Sequence, residues 1–229
     1  MDLLGMWKPK RKNGVLDYTR ERNRMVDAQI AARGVMDQRV LAAMRKVPRH
    51  VFVPPELVSY AYEDHPVQIG HGQTISQPYM VGLMTELLQL RPGDRVLEVG
   101  TGSAYQAAIL AELAAEVVSV ERNADLAERA RQRLAQLGYP HVTVLTGDGT
   151  LGHPERAPYD AILVTAGGPT APPSLKNQLA VGGRLVCPVG PRDVQTLVTV
   201  VRTEEGFEEH GGISCVFVPL VGAEGWGEP

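Results

Sequence analysis

The chain has 229 residues, of which 44% are hydrophobic and 21% are charged, and its formal net charge is -3. These values are typical of a globular protein with one domain of ordinary size, and they provide no overall basic field for nucleic acid. No apolar run reaches the roughly 18 residues that a membrane-spanning helix needs. We therefore expect neither a membrane span nor a nucleic-acid partner.

The two cysteines, Cys187 and Cys215, lie in apolar, strand-like segments and match no metal-ligand spacing. We interpret them as buried thiols of a reducing compartment. The N-terminus turns basic without the apolar stretch of a signal peptide. No two of the six histidines are spaced i, i+4 on a helix. Together these features predict a cytoplasmic protein without a metal site, and we expect a monomer.

The first third of the chain is predicted to be a helical cap. Residues 1–18, which include a basic run at residues 8–12, are predicted to form a mobile N-terminal extension. A helical pattern of apolar residues begins at Thr19 and indicates two helices that are broken near Gly34. Residues 56–78 show little periodicity and are predicted to be a long irregular stretch, and long ordered loops are often functional.

The remainder of the chain alternates between strand and helix patterns. A helical pattern starts at residue 79 and stops before Pro92. Strands are then predicted over residues 95–100, 117–121, 142–146, 159–165 and 184–187, and helices over residues 105–115, 123–138 and 175–179. This alternation is typical of a parallel sheet with helices on both faces.

Two strand-like runs close the chain, at residues 196–201 and 213–218. The gap between them has no room for a crossover helix, so they are predicted to pair as an antiparallel hairpin. We predict an α/β fold with a single domain over residues 19–229. Within it, residues 19–90 form the helical cap and active-site segment, and residues 91–229 form the cofactor-binding sheet.

The strongest local motif runs from Glu98 to Tyr105, between a predicted strand and a predicted helix. Gly100 and Gly102, with Thr101 between them, permit a tight turn and let a ligand approach the main chain. A dinucleotide-binding motif would have a third glycine at the position of Tyr105. The loop therefore favours a ligand without a phosphate, such as S-adenosylmethionine, and a nicotinamide cofactor is the main rival.

Acidic residues lie at or near the ends of the first three predicted strands. Glu121 follows Gly100 by 21 positions and is placed to accept both hydroxyls of an adenosyl ribose. Asp148 is placed to accept a hydrogen bond from the adenine amino group, and Glu98 to lie near the amino-acid part of the cofactor. Ligands of such sheets bind outside the carboxyl ends of the strands. With five parallel strands and a terminal hairpin, the layout is that of an S-adenosylmethionine-dependent methyltransferase (Rossmann-like) sheet.

A second polar motif covers residues 72–79, ahead of the predicted sheet. Thr74 and Ser76 offer hydroxyls two residues apart, which lie on one side of an extended chain. Pro78 is suited to the first turn of a helix. Two interpretations remain open from spacing alone: Ser76 serves a reaction, or it caps the helix that follows.

The motifs at residues 72–79 and 96–105 together resemble the protein-L-isoaspartate (D-aspartate) O-methyltransferase family. Four further segments agree, at residues 45–54, 61–66, 159–166 and 217–220, so that the resemblance extends from about residue 24 to residue 222. It implies methyl transfer from S-adenosylmethionine to the free α-carboxylate of L-isoaspartyl, and also D-aspartyl, residues of aged proteins. The implied partners are isoaspartyl-containing proteins and peptides, and the implied outcome is repair through a succinimide.

The resemblance also implies roles for individual residues. Ser76 matches the active-site serine, and Thr74 and Ile75 match the stretch that positions the substrate. The residues implied in cofactor binding are Gln73, Thr74, Glu98, Gly100, Thr101, Gly102, Glu121, Arg122, Asp148 and Gly149.

Three positions depart from the family pattern. Ala104 stands where many members have a glycine, which predicts a slightly stiffer loop. Gly167 and Gly168 stand where alanines are usual, and Tyr79 stands where some members have a histidine.

The implied reaction needs little acid–base chemistry. An α-carboxylate has a pKa of about 3.5 and is already ionised at neutral pH, so the site has to orient and desolvate it rather than deprotonate it. Two rival functions stay open at this point, because a fold does not determine a function. One is a methyltransferase of the same fold that acts on RNA or another small molecule, and the other is a cofactor-binding protein without catalysis.

Overall fold

The computed structural model describes residues 10–12 and 15–227. The α-helices are α1 (Thr19–Met25), α2 (Gln38–Lys46), α3 (Pro78–Leu87), α4 (Tyr105–Ala111), α5 (Ala124–Gln136) and α6 (Pro173–Asn177). The strands are β1 (Lys10–Lys12), β2 (Val15–Asp17), β3 (Val67–Gly70), β4 (Gln73–Ile75), β5 (Arg95–Val99), β6 (Glu116–Glu121), β7 (Val142–Thr146), β8 (Tyr159–Val164), β9 (Leu179–Val189), β10 (Gln195–Arg202) and β11 (Phe207–Cys215).

The centre of the molecule is a seven-stranded sheet in the order β11-β10-β9-β8-β5-β6-β7. Strands β5 to β9 are parallel, and β10 is antiparallel to both of its neighbours. Successive residues of β5 serve opposite faces, since Val96 packs beneath α3 and α4 whereas Leu97 packs in the cluster that contains Leu175 of α6. The predicted parallel sheet, with helices on both faces and a C-terminal hairpin, is confirmed.

The bounds of the last strand were predicted wrongly. The apolar run at residues 213–218 indicated it, but β11 begins at Phe207, which pairs with Arg202. The strand lies at the edge of the sheet and exposes Glu208 and Glu209. An edge strand with polar side chains on both faces carries no hydrophobic period, and charged side chains are a common protection of such edges.

The prediction of an irregular stretch over residues 56–78 was also wrong. A 3₁₀ helix covers Pro55–Tyr60, and β3 and β4 form an antiparallel hairpin with Val67 opposite Ile75. The turn of the hairpin contains His71 and Gly72, which both have positive φ angles. The hairpin is too short to give a period-2 signal, although it carries the first part of the second polar motif, up to Ile75.

The cap contains the two predicted helical segments. The helix that starts with α1 continues as a π turn (Val26–Ile30) and a 3₁₀ turn (Ala31–Arg33) and ends at Gly34, whose φ is 99°. This confirms the break near Gly34. Buried side chains of the cap form one cluster with those of α4 and α5. The cap therefore packs on the two helices that follow the first two strands of the sheet.

The predicted N-terminal extension, residues 1–18, lies partly outside the described residues. The part that is described forms a short antiparallel pair, with Lys10 opposite Asp17 and Lys12 opposite Val15. Across the described chain, no helix combines the length and the apolar character that crossing a bilayer requires.

Candidate active site

One cavity lies at the carboxyl ends of β5, β6 and β7, between the sheet and the β3–β4 hairpin. It contains about 1030 Å³ of empty space, part of which is open to solvent. Ten of the twelve predicted site residues line it: Gln73, Thr74, Ile75, Ser76, Gly100, Thr101, Gly102, Glu121, Arg122 and Gly149. The two predicted motifs, which are separated in sequence by a helix and a strand, thus face each other.

The loop after β5 has the backbone conformation that its glycines predict. Gly100 and Gly102 have φ angles of 94° and 50°, values that favour glycine. The Gly100 amide donates to the Val120 carbonyl at 2.9 Å. A Cβ on Gly100 would lie 2.4 Å from Thr165 Oγ1. The main chain at Gly100 is therefore closer to Thr165, which follows β8, than a residue with a side chain would allow.

Glu121 fastens this loop to the end of β6. Its Oε2 accepts a hydrogen bond from the Gly102 amide at 2.9 Å, and its Oε1 accepts one from the Asn123 amide at 2.9 Å. The residue is 6% exposed and lines the cavity. Each carboxylate oxygen can accept more than one hydrogen bond. Glu121 is therefore able to hold the loop and a ligand hydroxyl at the same time.

Glu98 does not lie on the cavity wall, contrary to the expectation that it adjoins the ligand. It is fully buried beneath the loop, where its Oε2 accepts a hydrogen bond from Ser119 Oγ. Thr101 Oγ1 lies 2.5 Å from the same Ser119 hydroxyl. Burial raises the pKa of Glu98 to about 8, against a smaller lowering by the Ser119 hydrogen bond. The structure thus makes Glu98 a support of the loop.

We expect the stability of the protein to depend on the protonation of Glu98. Because its pKa is raised on folding, the folded protein keeps this proton to a higher pH than the unfolded chain does. The free energy of unfolding therefore falls as the pH rises from about 4.5 through about 8. Glu98→Gln is neutral over this whole pH range, so the variant lacks this pH-dependent contribution to the free energy of unfolding.

Denaturant titrations at about pH 6 and about pH 8.5 measure the effect. The wild type should lose more unfolding free energy between the two than Glu98→Gln does. Glu56→Gln, at an exposed carboxylate, is the control and should behave as the wild type. Equal losses in Glu98→Gln and the wild type would contradict the prediction.

Asp148, the other predicted residue outside the lining, is turned towards the C-terminal part of the chain. Its Oδ1 accepts from the Thr150 amide at 2.9 Å and from the Thr150 hydroxyl at 2.7 Å, and its Oδ2 accepts from the Ala223 amide at 2.7 Å. The neighbouring Gly149 lines the cavity instead. In this structure the Asp148 carboxylate binds main-chain amides of the protein. It does not line the cavity, where an adenine contact was expected.

Residues 216–226, here named the closing segment, form the wall of the cavity opposite the hairpin. Residues 218–221 line the cavity directly. The segment is fixed to the end of β8, since the Gly167 amide donates to the Val218 carbonyl and the Leu220 amide donates to the Gly167 carbonyl, both at 2.8 Å. Trp226 Nε1 donates to the same Gly167 carbonyl at 3.0 Å.

The hairpin presents Ser76 to the cavity without using it as a helix cap. The N-cap residue of α3 is Gln77, not Ser76, and the Gln77 side chain makes no capping hydrogen bond. Ser76 and Thr74 both line the cavity and are only partly buried. Of the two interpretations left open by the sequence, capping by Ser76 is therefore excluded.

Several lining residues were not predicted. His71 lines the cavity at the tip of the hairpin and lies 2.6 Å from Asp125 Oδ2 of α5, so the hairpin spans the mouth of the cavity. Thr165 and Ala166 follow β8, and the rule that ligands bind at the carboxyl ends of strands would have found them. Tyr105, treated in the sequence only as a missing glycine, lines the cavity with a side chain that is 1% exposed.

The departures from the family pattern have local structural consequences. Ala104 has a φ of 70°, a conformation that costs a residue with a Cβ about 1–2 kcal/mol. A Cβ on Gly167 would lie 2.8 Å from Gln195 Cδ, so a buried glutamine occupies the space of an alanine methyl. Tyr79 does not line the cavity and lies under Arg33, whose Cζ is 3.5 Å from the ring centroid. Among the described residues, no group of three or more His, Cys, Asp or Glu side chains is arranged to hold a metal ion.

Comparison with known proteins gives a consistent result. The model of the protein-L-isoaspartate(D-aspartate) O-methyltransferase family matches residues 20–225. A protein-L-isoaspartate O-methyltransferase of Methanoculleus marisnigri is 60% identical over 207 residues, which cover 90% of this chain and 94% of that protein. Protein-L-isoaspartate O-methyltransferase 1 of Syntrophobacter fumaroxidans is 55% identical over 212 residues, covering 93% and 99% of the two chains.

Solved structures show the same likeness. One protein-L-isoaspartate O-methyltransferase aligns with a TM-score of 0.79 and 30% identity, covering 89% of this chain and 67% of that one. A Plasmodium falciparum structure, described as a protein-L-isoaspartate O-methyltransferase in complex with S-adenosyl-L-homocysteine, aligns with a TM-score of 0.76 and 25% identity. The alignment covers 87% of this chain and 98% of that one.

Proposed function

Because the chain belongs to the protein-L-isoaspartate(D-aspartate) O-methyltransferase family, we propose that its cavity holds S-adenosylmethionine and the acceptor carboxylate together, with Ser76 beside the acceptor. The activity is methyl transfer from S-adenosylmethionine to isoaspartyl residues of proteins and peptides. The resulting methyl ester cyclises to a succinimide with loss of methanol, and the succinimide hydrolyses in part to normal aspartate. The observation that carries the proposal is that Ser76 and the glycine loop line one cavity.

The residues of the loop fit an adenosyl ligand. Gly100 leaves no room for a side chain, so the main chain itself can form the floor of the binding site. Glu121 is nearly buried and has accepting capacity beyond its two amide contacts, which suits two ribose hydroxyls. Gln73, Thr74, Arg122 and Gly149 complete the proposed cofactor contacts. S-adenosylmethionine supplies an electrophilic methyl group on a sulfonium ion.

The hairpin residues serve the acceptor. An α-carboxylate is ionised at neutral pH, so its oxygen is nucleophilic without a general base. Ser76 and Thr74 provide hydroxyl donors that replace water around this carboxylate, and Ile75, which is 3% exposed, gives the site an apolar side. Donors fixed in advance cost no reorganisation during the reaction. Placement of the carboxylate in line with the methyl group is then the main catalytic contribution of the chain.

We expect Ser76→Ala to lower kcat on an isoaspartyl peptide by about 10- to 100-fold, the effect of losing one hydrogen bond to a charged group. The affinity for S-adenosylhomocysteine should change by only a few fold, because Ser76 is not among the proposed cofactor contacts. Transfer of a radiolabelled methyl group measures kcat, and calorimetry measures affinity. Ser59→Ala, at an exposed position of the cap, is the control. Full activity in Ser76→Ala would remove Ser76 from the mechanism.

The same assay separates the rival functions. An isoaspartyl peptide should be methylated and its normal aspartyl counterpart should not. Methylation of both peptides alike, or of neither, would contradict the proposed acceptor site and favour another substrate or a cofactor-binding role.

We propose a cytoplasmic setting for the protein on the basis of its two cysteines. Cys187 and Cys215 are both free and buried, and burial raises the pKa of Cys187 to about 12 and that of Cys215 to about 11. Two thiols without a disulfide suit a reducing compartment, and we place the protein in the cytoplasm. We also propose that the protein is a monomer. Its proposed partners are isoaspartyl proteins and peptides, and we expect neither a nucleic-acid nor a membrane partner.

A further inference from the structure

Arg49 is a buried cation that no part of the mechanism above uses. Its side chain is 0% exposed, and burial lowers the pKa of its guanidinium to about 10, so it is charged at neutral pH. Nε donates to the Ala61 carbonyl at 2.7 Å, and Nη2 donates to the Ser76 carbonyl at 2.8 Å. Nη1 is buried and makes no hydrogen bond with any described residue. Both bonds of this cation thus end on main-chain carbonyls.

Burial of a charge in this way is costly. Removal of a guanidinium from water is unfavourable unless well-placed partners compensate it, and here both hydrogen-bond partners are neutral carbonyls, with a smaller Coulombic contribution from Asp64. An apolar side chain of similar volume would often stabilise such a position. The stability of the cap alone therefore gives little reason for an arginine here, and the identity of its acceptor becomes informative.

The hydrogen-bond acceptor of Nη2 is the carbonyl of Ser76. Ser76 is the serine that is proposed to face the substrate carboxylate. Two neighbouring contacts hold the same stretch of chain: Gln77 Nε2 donates to the Asp64 carbonyl at 3.0 Å, and Tyr79 lies under Arg33. These contacts are all made with the cap, whereas the Ser76 residue itself lines the cavity. Arg49, which does not line the cavity itself, thereby fixes the peptide plane between Ser76 and Gln77.

Arg49 also contacts the cofactor side of the cavity. Its Cζ lies 5.0 Å from the ring centroid of Tyr105, the first residue of α4, which follows the glycine loop and lines the cavity. Phe52 packs against the same ring, with the two centroids 5.4 Å apart. One guanidinium thus links the hairpin that carries Ser76 to the helix that follows the cofactor loop.

We propose that Arg49 is a positioning residue for methyl transfer, which sets Ser76 at a fixed distance from the cofactor loop through the Ser76 carbonyl and the Tyr105 ring. This inference rests on the role of Ser76 proposed above. In-line transfer requires the two reactants in a near-attack arrangement, and a misplacement of about 1 Å can cost about 100-fold in rate. Arg49 supplies this arrangement without contacting either reactant.

The test uses two substitutions in the full chain. Arg49→Lys keeps a cation but cannot bridge carbonyls as far apart as those of Ala61 and Ser76 with a planar fork. Arg49→Met removes the buried charge and both hydrogen bonds at similar length. We expect either variant to lower kcat by about 10- to 100-fold, with S-adenosylhomocysteine affinity within about threefold of the wild type. Arg45→Lys, at a position in α2 that forms an ion pair with Asp27, should leave kcat unchanged.

A double-mutant cycle with Ser76→Ala decides whether Arg49 acts through the serine. In the Ser76→Ala background, Arg49→Lys should change kcat by less than about twofold. Full activity in Ser76→Ala alone would refute the role of the serine. A low Ser76→Ala kcat that Arg49→Lys lowers further by its full factor would refute only the positioning role. Loss of S-adenosylhomocysteine binding in both Arg49 variants would show a purely structural residue and would also overturn the proposal.

Discussion

Gly100→Ala should weaken the binding of S-adenosylhomocysteine by at least about 100-fold. Two costs combine at this position. The φ of 94° costs a residue with a Cβ about 1–2 kcal/mol, and the new methyl group would lie 2.4 Å from Thr165 Oγ1. Thr165 is β-branched and has restricted rotamers. Its hydroxyl also hydrogen-bonds the Gly100 carbonyl at 2.7 Å. The loop therefore has to move, and this loop is the proposed floor of the cofactor site.

The matched control is Gly138→Ala at the end of α5. Gly138 has a φ of 79° but nothing within 4 Å of the position of a Cβ, so it carries the backbone cost without the collision. Its affinity for S-adenosylhomocysteine should equal that of the wild type, although the protein should be less stable by about 1 kcal/mol. Calorimetric titration and thermal unfolding of both variants separate the two costs.

A second substitution should rescue part of the loss. Thr165→Ala removes the Oγ1 that collides and leaves its Cβ at 3.7 Å from the new methyl group, an ordinary contact. The double variant Gly100→Ala/Thr165→Ala should therefore bind more tightly than Gly100→Ala alone. A Gly100→Ala protein with wild-type affinity would show that the loop does not form the floor of the cofactor site.

Glu121→Ala should weaken S-adenosylhomocysteine binding by about 1–3 kcal/mol, which is about 5- to 150-fold in the dissociation constant. The carboxylate accepts hydrogen bonds from the amides of Gly102 and Asn123, and the proposed hydrogen bonds from the ribose hydroxyls add to these. Its removal leaves both amides without their acceptor and releases the loop from β6. The loss of the ribose contacts and the release of the loop both weaken binding.

Glu121→Gln gives the sharper comparison. Both carboxylate oxygens face amide donors, so an amide side chain must point its NH₂ group at one of the two N–H groups. We expect an affinity loss close to that of the alanine variant, despite the nearly unchanged shape. Glu128→Gln, on the exposed surface of α5, is the control. Calorimetric affinities that are equal for Glu121→Gln and the wild type would contradict both contacts.

The sequence predicted the sheet well because its strands are buried. The residues of β5, β6 and β8 form nearly continuous apolar runs, and a parallel sheet covered on both faces produces such runs. β11 was misplaced because exposure on both faces at the edge leaves no apolar period. The β3–β4 hairpin was missed because strands of three and four residues are too short to show one.

For the site, local motifs predicted which residues lie together but not which way each side chain points. Glu98 and Glu121 both belong to cofactor motifs, yet one is buried behind the loop and the other lines the cavity. Alternation along a strand distinguishes two faces, but the face that the ligand occupies depends on the loop conformation. Arg49 gave no signal in the sequence, since a buried arginine and a surface arginine have the same letter and similar neighbours.

The closing segment couples ligand binding to the folding of the whole chain. The walls of the cavity come from residues 71, 73–76, 81, 99–103, 105–106, 120–123, 149, 165–166 and 218–221, so they meet only when the cap, the sheet and the closing segment are all in place. A ligand that binds the native state alone stabilises it by about 2.7 kcal/mol at a concentration 100 times its dissociation constant. Here this stabilisation by the ligand acts on the cap, the sheet and the closing segment together, because all three line the cavity. Depletion of the cofactor pool would thus expose the hairpin and the closing segment to proteases together.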